Sequence, residues 1–369
     1  MADLSPLVEL SRRFGSDPDW VLAGGGNTSF KDRDRLYVKA SGASLASIGP
    51  EGFCAIDRSR LDAIWSAAYP EDGAAREAAA LADLMASRCP GESKRPSVET
   101  LMHGLFPQAY VVHTHPSAIN GLGCSREGEA AFKRLFGEEG IWIPCVDPGY
   151  VLAKTVRLAF ETFAARRGSP PSIMFMQNHG LLVAAEDPAG IERISLRIMR
   201  LVLRETRREP DLRAVNVDPF RVEEAIRAIV SLAGEGAVLR FRSDAEILAR
   251  SASPEAFGPL SSAFTPDHIV YAGSEFLLDE GGNIGKAWAD YLRRNGVAPR
   301  ILIIHGLGAF SCGRTEAAAE AAMLLFTDAC KVAAYAESFG GARHMPRERI
   351  DFIRNWEVER YRSSISTGE

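Results

Sequence analysis

The sequence predicts a layered domain of the α/β or α+β class, and three observations carry that prediction. Short β-rich runs alternate with amphipathic helical patterns from one end of the chain to the other. Proline or glycine stops many of these runs. The 369 residues, 46% hydrophobic and 25% charged, offer enough apolar content for a core and enough length for two domains. Periodicity alone does not choose the topology.

Each element can be justified in turn. "MADLSPLVELSRRFGSD" is an amphipathic helix and lacks the basic start and apolar centre of a signal peptide. "RLYVKASG" and "FCAIDRSRL" read as strands leaving into turns, and "GAAREAAALADLMASR" as an alanine-rich helix charged on one side. "RPSVETLMHGLFP" opens with proline and serine before an apolar-periodic turn, so Ser97 is the expected N-cap. "AYVVHTHP" is a strand stopped by proline, and "GIWIPCV" is another. "GYVLAKTVRLAFETFAARRG" is a helix ended by glycine. "SIMFMQNHGLLVAAED" is a strand, a turn at His179-Gly180 and a second strand; "DPAGIERISLRIMRLVLRETRR" is a long amphipathic helix. The stretch from about Glu209 to Gly258 is helix-forming and charged, and is expected to connect two units. "SSAFTPDHIVYAG" reads as a loop into a strand, followed by the helix "IGKAWADYLRRNG".

The next stretch repeats an earlier one. With His179 laid over His305, "FMQNHGLLVAAEDPAGIERISLRIMRLV" aligns with "ILIIHGLGAFSCGRTEAAAEAAMLLFTD". Each runs from apolar residues to His-Gly, a short strand and a long helix. The second copy has no paired-histidine strand, so a structural role is expected for His305. The predicted division is therefore 1–207, a helical connection over 208–260, and a degenerate partial repeat over 261–369.

Bulk properties exclude several classes. A net charge of −5 argues against a nucleic-acid binder, while leaving room for a local basic pocket. No stretch reaches the ~18 apolar residues of a membrane span. The six cysteines are scattered without a CxxC pair, which fits a reducing cytoplasm and argues against a thiolate zinc site.

The histidines carry the chemistry. In "VVHTHP", His113 and His115 are two apart on a strand and project from the same face. Two imidazoles side by side would repel when protonated, and would need separate acceptors when neutral. Zinc takes such nitrogens at about 2.0–2.1 Å, and a catalytic site needs a third protein ligand and an open position. His179, between Asn178 and Gly180 at a turn, is the candidate for the third. His103 shares a helical face with Glu99 and is expected to be structural or to support a ligand; His268 and His344 are read as structural. Glu99 is a capping-box partner, a solvated charge or a proton carrier aimed at the metal. "AGGGNTSFK" and "VKASGAS", the latter with Lys39 beside a Ser-Gly turn, offer backbone N–H groups suited to an anion. Neither has the P-loop pattern or the GxGxxG spacing of nucleotide folds.

In their order and spacing, GGGNTS, KASG, RPSVE, HTHP and NHG resemble the class II aldolase/adducin family over roughly Leu4 to Glu205. The segments "FTPDHIVYAG", "GLGAF", "YAESFGG" and "DFIRNWEVERYR" resemble the aldolase portion of bifunctional rhamnulose-1-phosphate aldolase/alcohol dehydrogenases. No GxxxGxG follows, so the expectation is an aldolase part standing alone, without NAD. The resemblance implies a predominantly antiparallel central sheet flanked by helices, assembled as a cytoplasmic homo-oligomer. It implies zinc or another divalent ion on His113, His115 and His179, with Glu99 as the acid/base group. It also implies a substrate phosphate held by Asn27, Thr28, Ser41, Gly42 and Ser97, to which the reading of the Ser-Gly turn adds Lys39. One departure is Val98, where some aldolases of the family carry a second serine. The implied reaction is cleavage of a ketose 1-phosphate, such as rhamnulose or fuculose 1-phosphate, to dihydroxyacetone phosphate and an aldehyde. The alternatives are a sugar-phosphate dehydratase or epimerase, or a non-catalytic adducin-like scaffold. The glutamate at position 99 favours aldolase or dehydratase over epimerase.

Overall fold

The computed structural model describes residues 2–280 and 282–356. The chain forms two compact units. The first takes in residues up to Gly123 together with Glu129–Arg204, and the second Cys124–Gly128 together with the chain from Glu205 onward.

The first unit is built on a seven-stranded sheet. Its strands are β1 (Asn27–Lys31), β2 (Arg35–Lys39), β3 (Phe53–Asp57), β4 (Tyr110–Thr114), β5 (Gly140–Ile143), β6 (Ile173–Met176) and β7 (Gly180–Ala185). They lie in the order β3-β2-β1-β4-β7-β6-β5. Every neighbouring pair is antiparallel except β5 with β6, which the helix Tyr150–Arg167 joins as a crossover. A parallel pair needs such a crossover, whereas β6 and β7 need only the short turn through His179. The strands β4 and β7 at the centre are buried along their whole length. One face carries a continuous apolar core that includes Leu36, Val38, Val111, Leu182, Leu101 and Phe106. The helices Gly73–Ala86, Thr100–Leu105 and Tyr150–Arg167 supply residues to this same core.

The second unit has a four-stranded sheet of β8 (Val238–Arg242), β9 (Leu277–Asp279), β10 (Ile301–Ile304) and β11 (Gly308–Gly313), in the order β8-β11-β10-β9. The pairs β8–β11 and β11–β10 are antiparallel, and β10–β9 is parallel. This is the pattern of β4-β7-β6-β5, strand for strand. The helix Ile284–Asn295 takes the place of the crossover, and Glu316–Ala336 that of Pro188–Glu205. The degenerate partial repeat in the sequence is thus a repeat of topology. Its core holds Trp288, Tyr291, Leu302, Ile304 and Phe310.

Three local expectations change. Residues 208–260 are not solely helical: β8 lies within them and completes the second sheet, because "VLRFR" alternates apolar and arginine side chains with the period of a strand. His268–Ala272, expected as a strand, is a π-helix. Short apolar runs buried on all sides do not distinguish strand from helix by periodicity. The burial comes from the long helix Glu316–Ala336, whose Asp328 meets His268 at 2.9 Å. Ser97 is not the N-cap; Glu99 takes that position, and the Ser97 hydroxyl accepts the Glu99 N–H at 3.2 Å in the turn just before the helix. The end of "DFIRNWEVERYR", from residue 357, lies outside the described residues.

Candidate active site

The site forms where β1, β4 and the β6–β7 turn meet. Strand alternation sends Val111 and His113 to the core face of β4. Register places Asn27 of β1 directly opposite His113. His115 lies just past the strand end, its N–H held by the Trp20 carbonyl at 3.1 Å. The third imidazole comes from the tight turn after β6, where Asn178 adopts a left-handed conformation (φ 57°) and the His179 N–H returns to the Met176 carbonyl.

Gly180 is what lets these rings meet. A Cβ there would lie 2.5 Å from His115 Cδ2 and 2.6 Å from the Thr114 carbonyl oxygen, both impossible contacts. Without it, the Nε2 atoms of His113 and His115 approach to 2.8 Å and those of His113 and His179 to 3.3 Å. Among the described residues these three histidines form the cluster able to hold a metal ion.

The donor set fits a divalent cation. His113 Nδ1 lies 2.8 Å from the Leu181 carbonyl oxygen, which can only accept. That bond keeps the proton on Nδ1 and leaves the Nε2 lone pair directed at the other two rings, the supported tautomer of a metal ligand.

Glu99 closes the cluster. Its Oε1 is 3.2 Å from His113 Nε2 and 3.3 Å from His179 Nε2. Burial pushes the carboxyl up, but when the imidazoles are protonated instead of holding a cation, the charge on His113 and hydrogen bonds from His113 and His179 outweigh it and hold Glu99 well below the usual carboxylate range. The side chain keeps 16% of its surface exposed, so a ligand can reach it.

The expected anion-binding residues divide. Asn27 faces the histidines but donates its amide to Glu99 Oε2 at 3.2 Å. Ser41, whose N–H bonds the Arg95 carbonyl, and Gly42 (φ 84°) form a turn whose Ala40 is bridged to Pro96, beside Ser97. Lys39 turns its ammonium to the carbonyls of Gly24 and Gly26 at 3.3 and 3.0 Å, and the Gly25 N–H is used by the Leu22 carbonyl. The glycine loop therefore offers these carbonyls to a cation. Thr28 is the clear correction. One residue on from Asn27, it projects from the opposite face of β1, where its fully buried hydroxyl meets Ser11 at 2.7 Å.

Two supporting residues were missed in the sequence reading. Ser29, on the same face as Asn27, meets His103 Nδ1 at 2.8 Å, and the Trp20 carbonyl anchors His115. The period of two along "NTS" is the signal that could have found Ser29. Burial pushes the His103 imidazole down to about 3, which keeps it neutral beneath Glu99. In the second unit, the residue equivalent to His179 is His305, which bonds the Ser251 carbonyl at 2.8 Å.

Residues 5–191 match the family described as the class II aldolase and adducin N-terminal domain. The chain belongs to this family. A Bacillus subtilis (strain 168) protein named "Uncharacterized oxidoreductase YuxG" is 24% identical over 422 residues, covering 98% of this chain and 58% of that protein. The chain thus spans less than two thirds of that relative's length. The N-terminal class II aldolase domain of a conserved Thermoplasma acidophilum protein is 29% identical with a TM-score of 0.47, covering 55% of this chain and 93% of that one. The L-fuculose-1-phosphate aldolase of Thermus thermophilus is 14% identical with a TM-score of 0.34, covering 55% and 94%. Among the described residues, no helix is long and apolar enough to cross a membrane.

Proposed function

We propose that this chain is a metal-dependent aldolase that cleaves a ketose 1-phosphate to dihydroxyacetone phosphate and an aldehyde. The observation that carries this reading is a supported histidine cluster with one carboxylate, Glu99 Oε1, within 3.3 Å of two of its nitrogens. An adducin-like scaffold has no need of that arrangement.

His113, His115 and His179 would hold a divalent ion, zinc or another transition metal. Bound there, the ion would supply Lewis-acid stabilisation of the enediolate charge, worth several kcal/mol. In cleavage, the bond between C3 and C4 breaks, the C4 hydroxyl gives its proton to the ionised Glu99 carboxylate as the aldehyde forms, and the bonding pair remains on C3. Glu99 delivers a proton to C3 in the cleavage direction and removes it in synthesis. Asn27 fixes the far oxygen of that carboxylate, which leaves Oε1 on the side of the imidazoles. Ser41, Gly42 and Ser97 are the residues we assign to the phosphate.

Two measurements test the reading. A panel of ketose 1-phosphates, scored for dihydroxyacetone phosphate release, should give turnover in the presence of a divalent ion. Glu99→Gln is expected to keep bound metal and lose roughly 10²–10⁴-fold in kcat. Undiminished turnover in that variant would remove Glu99 from the chemistry. Metal that stays bound in His179→Ala would remove the proposed ligand set.

A further inference from the structure

We propose that His103, acting through Ser29, is a positioning residue that sets where Glu99 stands relative to the three histidines. Its catalytic meaning rests on the reading of Glu99 as the proton carrier of the proposed aldolase.

Strand β1 is joined to both partners of the site. Its register with β4 sets Asn27 opposite His113. Its alternate side chains Asn27, Ser29 and Lys31 share one face and reach the segment that carries Glu99. Asn27 donates to Glu99 Oε2 at 3.2 Å, the Ser29 hydroxyl meets His103 Nδ1 at 2.8 Å, and the Lys31 ammonium donates to the Gln108 carbonyl at 2.7 Å. The pitches of the two elements match. Two residues of strand advance about 6.6 Å and four residues of helix about 6 Å. Asn27 and Ser29 therefore meet Glu99 and His103 as successive rungs of one ladder.

The Ser29–His103 rung is the one that fixes the helix along its axis. Thr100–Leu105 is only six residues long, too short to hold its place by its own bonds. Leu101 and Met102 bury it against the core, but apolar burial is non-directional and tolerates sliding. A bond of 2.8 Å between two fully buried side chains does not. Glu99 gains no such hold from its own helix: it is the N-cap residue, yet its carboxylate makes no capping bond. As a packing residue alone, His103 would be a poor choice. Its Nε2 is buried without a hydrogen-bond partner, a penalty that a phenylalanine of similar size would avoid. What the imidazole offers in return is the bond to Ser29.

The test uses the full chain. Crystal structures of the parent, His103→Phe and Ser29→Ala would compare Glu99 Oε1 with its distances of 3.2 and 3.3 Å to the Nε2 atoms of His113 and His179. The carboxylate should move away in both variants and return in His103→Gln, whose amide can meet Ser29. Titration with zinc should give an affinity close to the parent's, because the imidazoles are held from β4 and the turn after β6. On the ketose 1-phosphate that the parent cleaves, both variants should lose roughly 10–100-fold in kcat with KM unchanged. The double variant should lose no more than either single one, and His103→Gln should recover part of the loss. Glu99 unmoved, kcat undiminished, or zinc affinity lost in step with kcat would overturn the proposal. A parent without turnover on any ketose 1-phosphate would fail the aldolase reading alone, and the position of Glu99 in the variants would still decide this one. If His103→Phe does not fold, Ser29→Ala, which removes a single hydroxyl, carries every readout.

Discussion

At the residue scale, Gly180 and His103 decide whether the imidazoles meet and what supports them. Adding one methyl at Gly180 forces atoms of His115 and the Thr114 carbonyl apart from 2.5–2.6 Å. Gly180→Ala should cost about 1–3 kcal/mol in stability and weaken metal binding, read from a denaturant midpoint and a metal titration. A variant with native midpoint and native metal affinity would show that the turn relaxes without consequence. His103 makes a pH prediction. Its folded value, near 3, lies below its unfolded value of 6.5, so between those limits the unfolded chain holds a proton that the native chain does not. Stability from this residue is therefore full above pH 6.5 and falls as the pH drops toward 3. His103→Gln, which keeps a polar partner for Ser29, should flatten the acid slope of urea midpoints over that window.

At the element scale, the second unit carries an ion network centred on the buried Glu246. Arg208 holds Glu246 with two bonds, at 2.7 and 2.9 Å, and Glu337 with two more, at 2.9 and 3.0 Å; Arg250 reaches Glu246 at 3.0 Å. Glu246 is only 2% exposed. The network ties the segment after Pro188–Glu205 to the helix Ala245–Arg250 and the turn Glu337–Phe339. Both arginines keep Glu337 as a partner, so Glu246→Ala should cost about 1–3 kcal/mol for the lost charge-assisted bonds, whereas Glu246→Gln should cost less. Equal midpoints for parent and Glu246→Ala would show that water replaces the lost charge. In the first unit, Phe106 is fully enclosed between the sheet and the helix Tyr150–Arg167, with its ring edge-on to Phe160 at 5.2 Å. Its truncation to alanine should cost about 3–5 kcal/mol by leaving a cavity.

At the scale of the whole molecule, the proposed metal site would link ion binding to folding. An ion that binds the assembled histidines and not the unfolded chain raises stability by about 2.7 kcal/mol at a hundredfold excess over its dissociation constant. Thermal midpoints should therefore climb with added divalent ion and drop with a chelator. His179→Ala should abolish both responses; an unchanged response there would place the ion elsewhere. Much of this was legible in the chain itself. Alternation predicted that His113 and His115 share a face, and self-similarity around His179 and His305 pointed to a partial repeat of strand, His-Gly turn, strand and helix. The strand character of β8 was also written in "VLRFR", but charged surroundings masked it. Local periodicity determines which side of a strand a residue occupies, because that depends only on the backbone's own repeat. It could not show that Asn27 would grip Glu99, that Thr28 would turn to Ser11, or that Lys39 would hold the glycine loop. Those outcomes depend on strand register and on which helix covers which face, and contacts between residues distant in the chain are settled only when the whole fold packs.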